Sequence, residues 1–411
     1  MLELSERIHS AEFAEAARHP AHPKAFTRCR KLPLPALIAS LLSLRGQSQQ
    51  AALDSFFASL CDSPLACRGV SDRAFAKARA HLHMPALAAL NDWLVQRADD
   101  AGLVARWNGL RVVAADGSVL MPALRACTRT RGLAAREQRL FALFLPGAEL
   151  SLHACVYDPL GSERQLLVES LERLGPEDLL VLDRGYPASW LVSLLQARGI
   201  RWCMRCDNDG GWAAVRRFMR SGAAEARVTL GAPSAADAHT WGCSRDAPTV
   251  RLVRQISPSG AVRVLATNLD SQLHPCHTFA DLYHQRWRIE EAFKRLKMCM
   301  KLESVSGLSQ QALLIDIAAK VLADNLASLL CAAASEQADL AARSRRCNRS
   351  YAAWVFQRAI PRLIIAVGDF FATFDEVLSL LAAKTLRVVK GRSCPRRPNH
   401  TKPHPNLAYK A

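Results

Sequence analysis

Residues 283–297, YHQRWRIEEAFKRLK, decide how the rest of the sequence is interpreted. No glycine or proline interrupts this stretch, so it is predicted to be helical. At about 100° per residue, one set of polar side chains falls within an arc of roughly 60°, opposite a set of apolar ones. The polar set is Tyr283, Arg286, Glu290 and Lys297, and the apolar set is Ile289, Ala292 and Leu296. One face is expected to pack and the other to present an acid among cations, although a solvated surface helix would give the same pattern.

The spacing of the polar set carries more information than its composition. Tyrosine, two residues, arginine, three residues, glutamate, six residues and lysine resembles the signature of the IS-four family of bacterial DDE transposases. The string RWRIEE at residues 286–291 is similar to the same helix in cut-and-paste members of that family. The resemblance implies a ribonuclease-H-like catalytic domain that needs two further carboxylates, each at the end of a buried strand.

Two upstream aspartates meet this requirement. Residues 110–118, LRVVAADGS, form a short apolar run that ends in Asp116 and a turn residue, which predicts a strand with a carboxylate at its tip. The apolar run 179–182 likewise ends in Asp183, within the string DRGY that recurs in the family. An aspartate at a strand end is usually only a turn or helix cap. Together with Glu290, the resemblance makes Asp116 and Asp183 the expected catalytic and metal-binding residues.

The chemistry of phosphodiester attack explains why carboxylates are expected here. Two divalent ions about 3.5–4 Å apart activate the nucleophile and stabilise the leaving oxygen, and Mg²⁺ prefers oxygen ligands. The expected cofactor is therefore a pair of Mg²⁺ ions, with Mn²⁺ as a substitute, bridged by Asp116 and completed by Asp183 and Glu290. The resemblance implies that water cuts one strand first and that the freed 3′ hydroxyl then attacks the opposite strand or target DNA.

Several other residues are expected to contact DNA. Arg286 and Lys297 share the face of Glu290 and are placed to hold phosphates, and Tyr283 to hydrogen-bond one. Trp287 is expected either to stack on an unpaired base or to pack as a core or lid residue. The remaining expected contacts are Arg184, which follows Asp183, and Arg73 and Lys77 on a helix capped by Ser71. A solvated basic face is the alternative for the last two.

The fold class expected from these patterns is α/β, a ribonuclease-H-like mixed sheet with flanking helices, a β-rich insertion, and helical amino- and carboxy-terminal regions. The expected divisions are a helical DNA-binding region (1–105), a catalytic domain (106–206 and 262–335), a β-rich insertion without a crossover helix (207–261), and a helical region (336–411). Residues after Lys384 contain no acid and several prolines, so an extended, phosphate-bound tail is expected.

Charge and composition limit the classes of partner. The 411 residues include 54 Lys and Arg against 37 Asp and Glu, a formal charge of +17, which favours a polyanion through counterion release. No signal-peptide pattern opens the chain, and the apolar segment 312–334 carries too many polar residues to span a membrane, so a buried core helix is expected there. These features predict a cytoplasmic, nucleoid-associated bacterial protein that has no membrane partner.

The cysteines give little support for a metal site. The 13 cysteines are an odd number without framework spacing, which is typical of reduced thiols. Cys203 and Cys206 have the CxxC spacing of a zinc site, but they lie in a predicted strand whose alternation puts them on opposite faces. Packing is therefore the favoured interpretation of this pair.

The function predicted from the sequence is that of a DNA transposase. It would bind the terminal inverted repeats of its insertion sequence, cut and join strands with Mg²⁺, act on target DNA, and work as a homodimer on paired ends. The alternatives are a catalytically silent, transposase-derived DNA-binding protein and a ribonuclease-H-like nuclease that cuts without joining.

Overall fold

The computed structural model describes residues 1–389, apart from 29, 44, 45, 47, 62, 64, 122–137, 159, 207–211, 258, 259, 308, 366 and 367. Two compact units are present. The first comprises residues 1–97, 119–139 and 293 onward, and the second comprises residues 98–118 and 140–292.

The amino-terminal region is helical, as the sequence predicts. Its helices are α1 (Leu2–His9), α2 (Ala11–Ala16), α3 (Leu34–Ser43), α4 (Gln49–Leu60), α5 (Asp72–Ala80) and α6 (Met84–Asp100). Helix α5 begins where expected, because Ser71 Oγ accepts a hydrogen bond from the Ala74 amide at 3.2 Å. Helix α3 is buried along nearly its whole length and packs against other helices of the first unit.

The middle of the chain alternates strands and helices. Its elements are β1 (Arg111–Leu120), β2 (Gln138–Leu145), β3 (Leu150–Tyr157), α7 (Glu163–Glu169), β4 (Asp178–Leu182), α8 (Ser189–Ala197), β5 (Arg201–Cys206), α9 (Ala213–Ser221), β6 (Glu225–Thr229), α10 (Ala235–Trp241), β7 (Thr249–Ile256), β8 (Val262–Thr267), α11 (Phe279–Gln285) and α12 (Trp287–Met298). The predicted strand that ends before Asp183 is confirmed as β4, and the predicted strand that contains Cys203 and Cys206 is confirmed as β5.

One sheet of eight strands carries this region, in the order β3-β2-β1-β4-β5-β8-β7-β6. Strands β1, β4 and β5 run parallel, whereas β8, β7 and β6 each run antiparallel to their neighbour. A central order 3-2-1-4-5 with parallel β1, β4 and β5 is the ribonuclease-H-like arrangement, so the expected fold class is confirmed. Beyond β5, the strands β8, β7 and β6 extend the sheet on one side.

The segment 207–261 differs from the prediction in one respect. Strands β6 and β7 are present, but so are two helices, α9 and α10, where no helix was expected. Apolar residues Ala214, Val215 and Phe218 lie on the buried side of α9, and Ser234 caps α10 by accepting from the Asp237 amide. Both helices have fewer than ten residues, so their apolar and capping signals are short compared with the β-like runs around them.

The carboxy-terminal region contains α13 (Gln310–Gln337), β9 (Arg345–Cys347), α14 (Arg349–Ile365), α15 (Phe370–Ala383) and β10 (Thr385–Arg387). The long helix α13 is the predicted core helix, and polar Asp316, Lys320 and Asp324 on it are buried. The helical region expected at the carboxy terminus consists mainly of two separate helices, α14 and α15. Within the tail after Lys384 that is expected to be extended, residues 385–387 form β10, which pairs with β9; residues 390–411 lie outside the described residues.

Among the helices that the structure describes, none has both the length and the apolar character needed to cross a bilayer.

Candidate active site

The two predicted aspartates lie side by side, just beyond the paired segment of two neighbouring parallel strands. Strands β1 and β4 are in parallel register from Arg111 opposite Asp178 to Ala114 opposite Val181. Asp116 and Asp183 each lie two residues beyond the last of these pairs. The register therefore brings together two carboxylates that are 67 residues apart in the sequence.

Asp116 is not at the tip of its strand, which corrects the prediction. Strand β1 continues to Leu120, beyond its last pair with β4, and its other neighbour in the sheet is β2. Asp116 therefore lies within the strand and is largely buried, with 17% of its side chain exposed. Burial raises the pKa of Asp116 to about 7, Arg286 opposes the shift, and the nearby Asp183 and Glu163 add to it.

Asp183 directly follows β4, as predicted, and its loop is held from both sides. Its Oδ1 accepts a hydrogen bond from the Gly185 amide at 2.7 Å. Arg164, in the first turn of α7, donates to the Gly185 carbonyl oxygen at 2.8 and 3.0 Å. The carboxylate is half-buried and its position is fixed by the turn that follows it.

Glu163 is a fourth acid at this site, and the sequence interpretation missed it. Its carboxylate occupies the space that a side chain at position 117 would need: a Cβ on Gly117 would lie 2.5 Å from Glu163 Oε1. The glycine therefore leaves room for Glu163, because a Cβ at this position would force that side chain to move. The available signal was Ser162-Glu163 at a helix start, but nothing in the sequence links it to Asp116.

Arg286 connects Glu290 to Asp116. Its Nη2 lies 2.6 Å from Glu290 Oε1, and its Nη1 lies 3.4 Å from Asp116 Oδ2. The predicted single helix is divided at this residue, with α11 ending at Gln285 and α12 beginning at Trp287. Arg286 is buried rather than solvent-facing, because two carboxylates neutralise its charge. Arg286 thus contacts two of the three predicted acids, and the third, Asp183, lies beside Asp116.

Tyr186 adds a buried hydroxyl to the same neighbourhood. Its residue is 1% exposed, and its Oη has no hydrogen-bond partner among the described residues. Burial raises the pKa of the Tyr186 phenol, and the negative charges of Glu163, Asp116 and Asp183 raise it further. A neutral hydroxyl close to three acids is a donor available to a carboxylate or to a bound water.

The donor set at this site fits a divalent cation in its chemistry. Carboxylate oxygens are the ligands that Mg²⁺ prefers, and Asp116 is destabilised by the acids beside it, which a cation would relieve. Among the described residues, however, no three acid, histidine or cysteine side chains are already grouped to hold an ion. Arg286 supplies the positive charge between Asp116 and Glu290 in this arrangement.

The other predicted DNA contacts have different surroundings. Tyr283 is buried in a core cluster with Val181 and Phe279. Trp287 is half-buried, with the Arg263 guanidinium 4.8 Å from its ring centroid. Lys297 Nζ donates to the Val119 carbonyl oxygen and lies 3.9 Å from Glu303. The exposed candidates are Arg184, Arg73 and Lys77.

Cys203 and Cys206 are both buried in β5. Cys203 belongs to the same core cluster as Tyr283, and its burial raises the pKa of its thiol. Both are free cysteines.

Comparisons with known proteins bear on the same residues. Residues 128–326 match the family model described as Transposase DDE domain, a range that includes Asp183 and Glu290 and begins after Asp116. This match supports a DDE transposase. A comparison with curated proteins gave no match. A solved cryo-EM structure, a piggyBac transposase synaptic complex with hairpin DNA, is similar with a TM-score of 0.41 and 11% identity, over 95% of this chain and 84% of that chain. That likeness is too distant to support an argument about function.

Proposed function

Because residues 128–326 match a transposase DDE domain, we propose that the protein is a DNA transposase of the IS-four type whose active site is formed by Asp116, Asp183 and Glu290. One observation carries the proposal: Arg286 contacts both Asp116 and Glu290, and the strand register places Asp183 beside Asp116. Acids from two strands and a helix that are remote in sequence therefore adjoin one another. Such convergence is expected of a site that handles a phosphate through bound cations.

The three carboxylates are the proposed ligands of two Mg²⁺ ions, with Mn²⁺ as a substitute. When bound, the ions activate the attacking oxygen and stabilise the leaving oxygen. The protein's own contribution is positional: the β1–β4 register fixes the two aspartates, and the turn at Gly185 orients Asp183. Arg286, once released from the carboxylates, is positioned to bind a phosphate oxygen, since guanidinium groups pair with phosphate and carboxylate alike.

The substrate we propose is double-stranded DNA, both the terminal inverted repeats of an insertion sequence and the target. The formal charge of +17 supports a polyanionic partner, and the exposed cations Arg73, Lys77 and Arg184 are proposed contacts for it. We further propose a homodimer on paired ends, with α14 and α15 as the contact region, and a location at the bacterial nucleoid.

The experiment that tests the proposal uses the full-length protein, Mg²⁺ and a duplex that carries the element's own ends. Mapping the cut strands and the joined products distinguishes three outcomes. Strand cutting followed by joining supports a transposase, and cutting without joining supports a ribonuclease-H-like nuclease. Binding without any cutting supports a catalytically silent DNA-binding protein and rejects the assigned chemistry.

A further inference from the structure

The first unit contains a cavity that none of the three carboxylates lines. It has a volume of about 840 Å³ and is formed by residues 21–28 and 30–33, by Gly69 and Val70, and by one side of α5 as far as His81. This volume falls within the range of roughly 300–1,000 Å³ that is typical of small-molecule and cofactor pockets. The cavity is therefore large enough for a nucleotide and not merely a groove between side chains.

The rim of the cavity is strongly cationic. Its charged side chains are Lys24, Arg28, Arg30, Lys31 and Lys77, all of them exposed. Among the described residues that line the cavity, none is acidic. Cations that lack acidic partners within the cavity repel one another, and an anionic occupant would relieve that repulsion.

The inner wall of the cavity is apolar and includes an aromatic ring. Phe26, Leu32, Val70 and Ala74 line it. Phe26 has a φ of 60°, in the left-handed region that bulky residues rarely adopt. Strained backbone of this kind clusters at binding sites, where the surrounding structure holds a side chain in a required position. Here the strain presents an aromatic side chain to a cationic cavity.

Two imidazole rings also face the cavity. The ring centroids of His22 and His81 are 4.1 Å apart, with 37° between the ring planes. Partial burial lowers the pKa of His81, and the neighbouring His22 and Lys77 lower it further. The pair therefore adds flat aromatic surface to the cavity.

We propose that this cavity binds one unpaired nucleotide of a DNA strand, with the base against Phe26 and the flanking phosphates on the cationic rim. Stacking on aromatic side chains combined with a cationic backbone track is the general mode of single-strand recognition. Duplex backbone alone would need surface cations and no apolar interior. The inference rests on the proposed function, since it assigns to a DNA-binding protein the place where an unpaired base would lie.

The test measures binding of fluorescent oligonucleotides to the full-length protein by anisotropy. One oligonucleotide is a single strand, the second has the same length and charge but abasic residues throughout, and the third is a duplex. Phe26→Leu, which keeps apolar volume but removes the ring, is expected to weaken binding of the normal strand about tenfold and to leave the abasic strand unchanged. Lys77→Ala is expected to weaken both strands.

Arg343→Ala is the matched control, because Arg343 is an exposed cation of the same unit that does not line the cavity. Arg343→Ala is expected to change neither the weakening caused by Phe26→Leu nor the preference for the normal strand over the abasic strand. A deoxynucleoside monophosphate tests a second source of the same chemistry: competition by it at low micromolar concentration would identify a free nucleotide as the occupant and overturn the DNA assignment.

Equal binding of normal and abasic strands, or an unchanged affinity in Phe26→Leu, would also overturn the inference. If duplex binding persists in either case, only the nucleotide cavity is rejected and the proposed transposase function stands. If the protein binds none of the three oligonucleotides, the proposed function fails first.

Discussion

Arg286 Nη2 lies 2.6 Å from Glu290 Oε1, four residues further along the chain, while its Nη1 lies 3.4 Å from Asp116 Oδ2. Only 5% of the Arg286 side chain is exposed, so solvent and salt screen these contacts weakly. A guanidinium in this position competes with any cation for the same oxygens. Arg286 and a metal ion are therefore expected to be alternative partners of Glu290 and Asp116.

Replacing Arg286 should strengthen metal binding in the absence of DNA. In Arg286→Gln the competing charge is removed, so we expect Mn²⁺ or Mg²⁺ to bind at least roughly tenfold more tightly, because a nearby like charge is lost from a partly desolvated site. Isothermal titration calorimetry on the DNA-free protein measures this. Arg288→Gln is the control, since Arg288 pairs with Glu149 and its side chain is 53% exposed. Equal affinities in both variants would contradict the competition.

The pH dependence of stability should report on Asp116. Its pKa rises from 3.8 to about 7 on folding, so the folded state binds this proton more tightly than the unfolded state. The stabilisation is therefore fully present below about pH 4 and is lost as pH rises to 7. In metal-free buffer, Asp116→Asn should gain stability relative to the unmutated protein as pH rises from 5 to 8, by a few kcal/mol at most. Urea denaturation measures this difference, and a difference that is constant with pH would contradict the raised pKa.

Gly117→Ala should disturb the site through Glu163. The added Cβ would lie 2.5 Å from Glu163 Oε1, so that side chain must move. We expect a loss of about 1–3 kcal/mol in the free energy of unfolding, as for other overpacked positions. Truncating the neighbour in Gly117→Ala/Glu163→Ala should recover most of it, a coupling that a double-mutant cycle measures. Additive effects of the two substitutions would show that the clash is absorbed elsewhere.

The sequence predicts the acids better than it predicts their surroundings. Asp183 is recognisable because an apolar run stops at it, a local signal that β4 confirms. Asp116 is expected at a strand tip, but β1 continues past it to Leu120 and also pairs with β2, which begins more than twenty residues after Asp116. Glu163 is 46 residues from Gly117, so no local spacing in the sequence reveals that its carboxylate occupies the space left by the absent side chain at position 117.

The burial of Arg286 shows the same limit. A helical wheel places this residue on a polar face, and a polar face is ordinarily solvated. Asp116 is 170 residues away in the sequence, and its carboxylate lowers the free-energy cost of burying the Arg286 guanidinium. Helix periodicity gives the direction of a side chain relative to its own helix, whereas the partner that meets it is set by tertiary structure.

The buried ion pair between Arg295 on α12 and Asp324 on α13 should be essential for the stability of the first unit. Arg295 Nε and Nη2 each donate to the Asp324 carboxylate at 2.8 Å, with side-chain exposures of 8% and 1%. Asp324→Ala removes the carboxylate that faces the buried Arg295 guanidinium, and we expect a loss of about 3–5 kcal/mol in the free energy of unfolding. Replacing both, as in Arg295→Met/Asp324→Leu, should cost less because no uncompensated charge remains. Urea midpoints measured for both variants decide this, and a double variant that is less stable than Asp324→Ala would contradict it.

The three carboxylates should be separable from DNA binding. Asp116→Asn, Asp183→Asn and Glu290→Gln are each expected to lower strand cleavage by several orders of magnitude, because each removes a proposed metal ligand. Affinity for end DNA should stay equal or rise slightly, since an anion near the phosphate backbone is neutralised. Gel-based cleavage with Mg²⁺ and anisotropy without it measure the two properties on the same duplex.

Glu291→Gln is the internal control for this series. Glu291 is the next residue on α12, about 100° around the helix from Glu290, and is exposed where Glu290 is half-buried against Arg286. Glu291→Gln removes the same charge from the same helix as Glu290→Gln does, but from a different face, so near-normal cleavage is expected. If Glu291→Gln abolished cleavage and Glu290→Gln did not, the assignment of the acid on this helix would be wrong. If neither substitution reduced cleavage, a mechanism that uses this helix would be refuted, whatever the two aspartates do.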